Sequence, residues 1–341
     1  MQLRITHETR YDYAPAVDIA QHVAYLQPLN TAYQQLLSYS LHIAPEPAQR
    51  IATTDVYGNT RLFFALQSAH TQLQVTACSV VATPAHRASD SCVPWEKVRD
   101  RFRYSATQPF DAAAEFVFAS PHVPRHANFM DYAEASFSPN RPLLVAARDL
   151  MQRIHRDFVY ESQSTQVNTP ALDALAQRMG VCQDFAHIMV AGLRSLGLPA
   201  RYVSGYLLTR PAPGENRLIG SDASHAWAQV YLPDLTGVEA AERWHDFDPT
   251  NDRDGLGSPG EDYVTLALGR DYADVSPIRG VIHGGAHHTL TVGVTVEPYE
   301  AFESVTQNRP YPDMPYQTQS QSVSGSPSQS QSQSQSQNAS N

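Results

Sequence analysis

"RMGVCQDFAHIMVAGLRSLGLPARYVSGYL", residues 178–207, contains a single cysteine at the start of an apolar stretch with helical spacing. Apolar side chains recur every three or four residues, and Gly197 follows them as a glycine commonly follows a helix. The unpaired N–H groups at a helix start favour a thiolate, so Cys182 is a candidate nucleophile. A free cysteine is also often buried and inert, and the nearby carboxylate of Asp184 opposes a thiolate. The segment therefore predicts a helix and leaves both interpretations of Cys182 open.

A second segment, "SHAWAQVYLPD" (224–234), has the alternating pattern of a β-strand. Its apolar face consists of Ala226, Ala228, Val230 and Leu232, and its mixed face of His225, Trp227, Gln229 and Tyr231. A thiolate nucleophile requires a base, and His225 on the mixed face could supply it. The same pattern also fits an ordinary histidine on an exposed strand face.

A third segment, "RWHDFDPTND" (243–252), places two carboxylates on one face of a short strand. Pro249 ends this strand directly after Asp248, which suits a carboxylate held at a strand end. Such a group could orient the imidazole of a catalytic histidine. Asp246 shares the same face and is a rival, and Asp-Pro-Thr is also a common turn.

The N-terminal residues 2–83 contain five or six short alternating runs without intervening helices. Turn residues separate them, including "DVYGNTR" (55–61), where Gly58 and Asn59 suit a tight hairpin. This pattern predicts an antiparallel β-sandwich in a β-rich domain over 1–83. Residues 84–140 are rich in Pro, His and Ser and are interpreted as a connector.

Helical spacing begins at "SPNRPLLVAARDLMQRIHRDFVY" (138–160), and "NTPALDALAQRMG" (168–180) predicts a further helix that ends before Gly180. Helices followed by strands describe an α+β domain, which we place at 141–300. Residues 301–341 are interpreted as a tail. From Gln317 it consists almost entirely of Gln, Ser and Asn and has no charged residue, which predicts disorder.

The bulk composition excludes several classes of partner. The chain has 341 residues, with 24 Lys and Arg against 34 Asp and Glu, which gives a net charge of −10. No basic cluster could neutralise a row of phosphates, so neither nucleic acid nor a membrane surface is expected as a partner. The start "MQLRITHETRYDYAP" (1–15) lacks the pattern of a signal peptide, and the three cysteines form no CxxC pair. We therefore expect a cytoplasmic protein.

The three chemistry-bearing segments, taken in order, resemble the transglutaminase-like superfamily of papain-like cysteine enzymes. Their spacing also matches, because 43 residues separate Cys182 from His225 and 23 separate His225 from Asp248. The segment 269–298 and the β-rich start are similar to the bacterial branch with its N-terminal region. The resemblance implies a papain-like core in which the cysteine-bearing helix packs on an antiparallel sheet. It also implies Cys182 as nucleophile, His225 as base and acid, and Asp248 as orienter, since the family's acid precedes Pro-Thr.

The implied reaction is attack of a thiolate on an amide carbonyl, followed by a thioester acyl-enzyme. The backbone N–H of Cys182 is one expected donor to the oxyanion. In animal members a tryptophan upstream of the cysteine supplies the second donor, but this chain has no tryptophan between residues 96 and 181. Gln183 or a residue near Tyr160 is expected to replace it, and Trp227 is a further candidate for this role or for a subsite.

Water resolving the thioester would make the protein a peptidase, amidase or deamidase, which is the outcome we expect with a peptide or protein substrate. An amine would instead make it a protein-glutamine transglutaminase, and a non-catalytic binding module is an alternative of another class. The loop "TRPAPGENRLIGSD" (209–222) is expected to carry specificity, and the sequence does not decide the oligomeric state.

No cofactor or metal is expected. The acidic stretch "NDRDGLGSPGED" (251–262) lacks the ligand spacing of a calcium loop. The histidines of "HGGAHH" (283–288) are also poorly placed for a metal, because His287 and His288 would point to opposite faces of an extended chain.

Overall fold

The computed structural model describes residues 1–83, 85, 87–105, 109–161, 169–209, 224–285, 287–299, 317–322 and 328–332. These residues form two compact units. The first unit contains the described residues of 1–84, 206–224 and 276–333, and the second contains those of 85–205 and 225–275. Among the described residues, no helix is both long enough and apolar enough to cross a membrane.

The strands are β1 (Gln2–Ala24), β2 (Gln35–Ala44), β3 (Gln49–Thr54), β4 (Thr60–Leu66), β5 (His70–Ala82), β6 (Val159–Tyr160), β7 (Met179–Gly180), β8 (Ala200–Leu207), β9 (Ser224–Tyr231), β10 (Trp244–Asp248), β11 (Arg253–Leu256), β12 (Tyr263–Gly269), β13 (Ile278–Gly284), β14 (His287–Pro298), β15 (Gln317–Ser322) and β16 (Ser328–Ser332). The helices are α1 (Trp95–Arg101), α2 (Ala127–Glu134), α3 (Leu143–Asp157), α4 (Ala171–Gln177), α5 (Cys182–Ser195) and α6 (Tyr272–Val275), with 3₁₀ turns at Ala112–Val117 and Ala240–Glu242.

The first unit is built around the long strand β1. An irregularity in its pairing with β5, between Asp12 and Val17, divides the strand into two halves. The first half pairs with β5 and β14, and the second half pairs with β4 and β13. Because β2 joins β5 and β3 joins β4, each half carries its own group of antiparallel strands. The antiparallel β-rich domain predicted from the sequence is thus organised as two groups of strands that share β1.

Residues from both halves contribute to one core. Its members are Tyr11, Tyr13, Val17, Ala20, Ala24, Leu26, Ile43, Phe64, Leu66, Leu73, Val75, Ala77, Ile278, Ile282 and Leu290. The predicted hairpin between β3 and β4 is confirmed. Gly58 has a φ of +88°, a conformation that glycine adopts without the steric cost of a side chain.

The end of the second unit differs from the boundary that we placed at residue 300. Strands β13 and β14 pair with β1, so the described residues from Ser276 onward belong to the first unit. An alternating strand pattern shows that a segment is half-buried, but it does not identify the neighbouring strand. The sequence therefore predicted the strands β13 and β14 but not the sheet to which they belong.

Two short segments of the polar tail are strands, where the sequence predicts disorder. β15 pairs with β14, and β16 pairs with β13. A strand at the edge of a sheet presents unpaired N–H and C=O groups, which a polar segment can satisfy through its backbone alone. The rest of the tail from residue 300 lies outside the described residues.

The second unit combines the six helices with a sheet in the order β11-β10-β9-β8-β12. Helix α5 is buried from Cys182 to Arg194, as expected for a central helix that is apolar on several faces. Its apolar residues share a core with Ala228, Val230 and Phe247 of the sheet. This arrangement confirms the α+β class and the packing of the cysteine-bearing helix on an antiparallel sheet.

The segment 84–140 contributes to the same core, although its composition suggested a connector. Val98 of α1 and Phe129 and Ala133 of α2 are buried among the residues of α3 and α5. The abundance of Pro, His and Ser misled the interpretation, because these few apolar residues are enough to attach two short helices.

The ends of the helices follow local backbone chemistry. α5 ends as predicted, because Gly197 has a φ of +80° and the N–H of Leu198 donates to the carbonyl of Leu193. The prediction for α4 was wrong by a few residues. Arg178 takes the left-handed conformation, and the chain then continues as β7, which pairs in parallel with β6.

Candidate active site

Cys182 is the first residue of α5, and the start of this helix is fixed by a side chain. The Oδ2 atom of Asp184 accepts a hydrogen bond of 2.9 Å from the backbone N–H of Val181. Gly180 leaves room for this carboxylate, since a Cβ atom there would lie 2.7 Å from Asp184 Oδ2. The carboxylate that the sequence suggested as an opponent of the thiolate therefore caps the helix that carries Cys182.

The structure brings Cys182, His225 and Asp248 together. His225 in β9 lies 2.7 Å from Asp248 in β10, measured from Nε2 to Oδ2. The Cys182 side chain also interacts with this imidazole, and the interaction raises the pKa of His225. All three residues are buried, with at most 2% of their surface exposed.

The charge state of His225 follows from these neighbours. Burial by itself lowers the pKa of this imidazole, but the negative charge of Asp248 and its hydrogen bond raise it more strongly. The Cys182 side chain acts in the same direction, and the pKa of His225 is raised to about 10. The imidazolium form is therefore favoured at neutral pH, beside a sulfur that can carry the complementary charge.

Three residues besides His225 hold the Asp248 carboxylate in place. The Tyr263 hydroxyl and the Asn251 side-chain amide each donate to Oδ2 at 2.7 Å, and the Thr250 backbone N–H donates to Oδ1 at 2.9 Å. Burial raises the pKa of Asp248, but His225 and these side-chain donors lower it to below its usual value. The carboxylate is thus ionised and oriented toward the imidazole.

Sequence reasoning missed Tyr263 and Asn251. Asn251 had a local signal, because Asp248 and the residues after Pro249 form a turn whose backbone and side-chain donors return to the carboxylate. Tyr263 lies in β12, fifteen residues further along the chain, and only the folded sheet brings its hydroxyl to Asp248.

Asp246, the rival acid, has a different set of partners. Its Oδ1 atom accepts hydrogen bonds from Trp227 Nε1 at 2.6 Å and from Gln229 Nε2 at 2.8 Å. Burial raises the pKa of Asp246 to about 7, although these donors act against the shift. Asp246 therefore orients Trp227, and Asp248 orients His225.

Of the two residues proposed for the oxyanion or a subsite, Gln183 adjoins Cys182 in the chain and Trp227 packs beside His225. Gln183 follows Cys182 in the first turn of α5 and is buried. Trp227 is fully buried, and its ring centroid lies 6.0 Å from that of His225. Since its indole N–H is bonded to Asp246, Trp227 packs beside the imidazole and does not offer this N–H to a substrate.

Other chemistry-bearing residues are engaged in packing or ion pairs. Within the described ranges, no group of three His, Cys, Asp or Glu residues is placed to hold a metal ion. Asp254 and Asp262 of the acidic stretch pair with Arg148 and Arg253, respectively. His288 is buried whereas His287 is exposed. The expected specificity loop 209–222 lies, apart from its first residue, outside the described residues.

Comparison with known proteins finds a family match for the β-rich N-terminal part and another for the part that contains Cys182, His225 and Asp248. Residues 3–82 match the bacterial transglutaminase-like N-terminal region, and residues 130–249 match the transglutaminase-like superfamily. An uncharacterized protein from Mycobacterium tuberculosis is 39% identical over 303 residues, which are 87% of this chain and 93% of that protein.

The chain is also similar to one more distant relative and to one solved structure. A protein-glutamine gamma-glutamyltransferase from Pseudomonas aeruginosa is 32% identical over 111 residues, 31% of this chain and 15% of its own length. The crystal structure of a candidate cysteine protease from Cytophaga hutchinsonii has 19% identity and a TM-score of 0.62, with 98% of both chains covered. This last likeness concerns the fold.

Proposed function

Because the chain belongs to the transglutaminase-like superfamily, with the bacterial N-terminal region before the core, we propose that it is a cysteine-dependent acyl-transfer enzyme acting on peptide or carboxamide bonds. One observation carries the proposal, namely the buried cluster in which His225 lies 2.7 Å from Asp248 and also interacts with Cys182. A sulfur, an imidazole and a carboxylate in this order are the parts that nucleophilic catalysis needs.

In the first half-reaction the Cys182 thiolate attacks the carbonyl carbon of the amide. The new C–S bond displaces the π electron pair onto oxygen, where the N–H of Cys182 at the start of α5 donates a hydrogen bond. The His225 imidazolium then gives its proton to the departing nitrogen, and the C–N bond breaks. An amine leaves, and the acyl group stays on sulfur as a thioester.

In the second half-reaction a nucleophile releases the acyl group. His225, now neutral, takes a proton from water as the water oxygen attacks the thioester carbonyl, and the thiolate departs. Asp248 keeps the ring oriented throughout and balances the charge that His225 gains and loses. With water the product is a carboxylic acid, so the enzyme is a peptidase, amidase or deamidase, which is the activity we favour.

Two other activities have distinct support. A primary amine in place of water would give an isopeptide or substituted amide, and the named activity of the P. aeruginosa relative favours this outcome. A binding module without turnover would retain the fold, but it has no use for a buried carboxylate paired with imidazole. Removing such charged groups from water costs free energy that a functional role must justify.

The first prediction concerns the nucleophile and the reaction type. We expect the protein to cleave or deamidate a glutamine-containing peptide and Cys182→Ala to abolish this turnover, because no other described thiol lies beside His225. Mass spectrometry of the peptide, incubated with and without a primary amine, reports cleavage, deamidation or amine incorporation.

Circular dichroism of Cys182→Ala serves as the control for folding. Amine incorporation as the main product would establish the transglutaminase alternative. Full turnover by Cys182→Ala would exclude Cys182 as the nucleophile, and inactivity of the wild-type protein on all amides would favour the binding module.

We also propose a peptide or protein substrate and a reducing, cytoplasmic location. The net charge of −10 disfavours nucleic acid, and Cys78, Cys92 and Cys182 form no disulfide in the structure. Fractionation of cells producing the native protein, with thiol alkylation before lysis, tests the location. Recovery of the protein outside the cytoplasm with oxidised thiols, which the alkylating agent cannot block, would contradict it.

A further inference from the structure

Tyr160 occupies a fixed position next to the start of α5. It lies in β6, where it pairs with Gly180 of β7, two residues before the nucleophile. Backbone hydrogen bonds from Val159 N to Arg178 O, at 2.9 Å, and from Glu161 N to Gly180 O, at 3.0 Å, hold this pairing. The tyrosine therefore keeps its place relative to Cys182.

The Tyr160 hydroxyl is buried and has no hydrogen-bond partner among the described residues. The charges of Cys182 and Asp248 both act on it, so it lies within electrostatic range of the nucleophile and of the orienting carboxylate. An unpaired buried hydroxyl costs free energy, and a bound substrate oxygen would satisfy it.

This hydroxyl is suited to donate and not to exchange its proton. Burial raises the pKa of Tyr160, and the charges of Cys182 and Asp184 raise it further. The phenol accordingly stays protonated over the working pH range. A neutral O–H donor is what a developing oxyanion requires.

We propose that Tyr160 is a catalytic residue whose hydroxyl donates the second hydrogen bond to the oxyanion, together with the backbone N–H of Cys182. The inference rests on the proposed function, and it names the group that takes the place of the missing upstream tryptophan. Gln183 is the competing donor, and it lies in the first turn of α5.

Tyr202 offers a matched control. Its hydroxyl is also buried without a hydrogen-bond partner in the described part of the chain, and the charge of Cys182 acts on it as well. Its ring, however, contacts His187 and Tyr272, and Asp248 is not among the groups that affect it. Tyr202→Phe therefore removes the same atom from a ring that packs against His187 and Tyr272.

The kinetic test compares Tyr160→Phe with Tyr202→Phe on an amide that the wild-type protein turns over. We expect Tyr160→Phe to lower kcat by about 10²–10³-fold with little change in KM, since an oxyanion donor acts mainly in the transition state. Tyr202→Phe is expected to keep a kcat close to that of the wild type. An unchanged kcat in Tyr160→Phe, or an equal loss in both variants, would overturn the proposal.

A second measurement separates oxyanion donation from positioning of the thiol. A peptide aldehyde reacts when sulfur bonds to its carbonyl carbon and the π pair moves to oxygen, so it needs the donors, whereas alkylation by iodoacetamide does not. Tyr160→Phe should bind the aldehyde about 10²–10³-fold more weakly and keep the wild-type alkylation rate and pH profile. An equal fall in alkylation would make Tyr160 a positioning residue instead.

Different results would contradict the proposed function and the assignment of Tyr160. If the wild-type protein turns over an amide and binds the aldehyde, and Tyr160→Phe does so equally well, only the assignment of Tyr160 is wrong. If the wild-type protein does neither, the proposed function falls and the assignment of Tyr160 falls with it.

Discussion

The imidazole of His225 lies between a carboxylate and a thiol, and this setting determines how the site responds to pH. Its pKa of about 10 lies well above the ordinary value for histidine, chiefly because Asp248 outweighs the effect of burial. Since the pKa in the folded protein is raised, the protonated form persists through neutral pH and is lost only as the pH rises through about 10. His225 is thus protonated at neutral pH.

We expect the rate of acylation to have an alkaline limit near pH 10, because the departing amine then no longer receives a proton from His225. Single-turnover kinetics of thioester formation across pH 6–11 measure this limit. Asp248→Asn should move it to lower pH, since the charge that holds the proton is removed. An alkaline limit near pH 6.5 in the wild-type protein would contradict this account of the site.

The carboxylate of Asp248 should matter far more for catalysis than that of Asp246. Asp248→Asn is expected to lower kcat by about 10³–10⁴-fold, as loss of the orienting acid does in other triads. Asp246→Asn keeps the size of a side chain that contacts Trp227 and not His225, so its effect on kcat should be much smaller. Steady-state kinetics of both variants decide the matter, and the reverse order would make Asp246 the orienter.

At this scale the order and spacing of three segments were enough to nominate Cys182, His225 and Asp248. The choice between Asp246 and Asp248 needed the family's Asp-Pro-Thr pattern, because both side chains share a strand face. Tyr263 could not be found from sequence, since its contact with Asp248 arises from the neighbouring positions of distant strands.

Helix α3 is attached to the five-stranded sheet of the second unit by a cluster of charged side chains. Arg148 of α3 donates two hydrogen bonds, of 2.9 and 2.7 Å, to the carboxylate of Asp254 in β11. The same carboxylate lies 2.7 Å from Nε2 of His245 in β10, a residue without exposed surface. These contacts hold the pKa of Asp254 far below its usual value, although burial acts in the other direction.

Asp254→Asn should lower the free energy of unfolding by about 1–3 kcal/mol at neutral pH, because it leaves Arg148 and His245 poorly paired. A lowered pKa contributes stability above the unfolded pKa of about 4, and this contribution is lost as the pH falls through the folded value. The difference between variant and wild type should therefore shrink below about pH 4. Urea unfolding at several pH values measures it.

Asp262→Asn is the matched control for this experiment. Asp262 also receives two hydrogen bonds from an arginine, Arg253, and the two aspartates have equally exposed side chains, but Asp262 has no histidine in its ion pair. A smaller loss is expected for it. Equal losses in the two variants would show that His245 adds nothing to the cluster.

At the scale of elements, local chemistry was a good guide and long-range pairing was not. The limits of α5 followed from apolar spacing and Gly197, because both act within a few residues. The early end of α4 depends on β7 pairing with β6, and the place of β13 depends on β1, more than 250 residues away. The sequence of β7 does not show that it pairs with β6, and the sequence of β13 does not show that it pairs with β1.

Across the whole molecule, the sequence predicted a β-rich part followed by an α+β part, and two separate cores bear this out. The assignment of 276–298 to the second part failed because strands of similar pattern fit either sheet equally well. Only the register of β14 along the first half of β1, from Leu3 with Pro298 to Ala14 with His287, decides it.

The dependence of β1 on β13 and β14 has a consequence for biosynthesis. β1 and β5 leave the ribosome early, but the 195 residues from 83 to 277 must be translated before β13 begins to appear. At synthesis rates of about 5–20 residues per second, one edge of the nascent β1 therefore stays unpaired for roughly 10–40 s. A chain that stalls or is cut before Ile278 keeps that edge open, so premature termination should yield material that coaggregates and recruits chaperones.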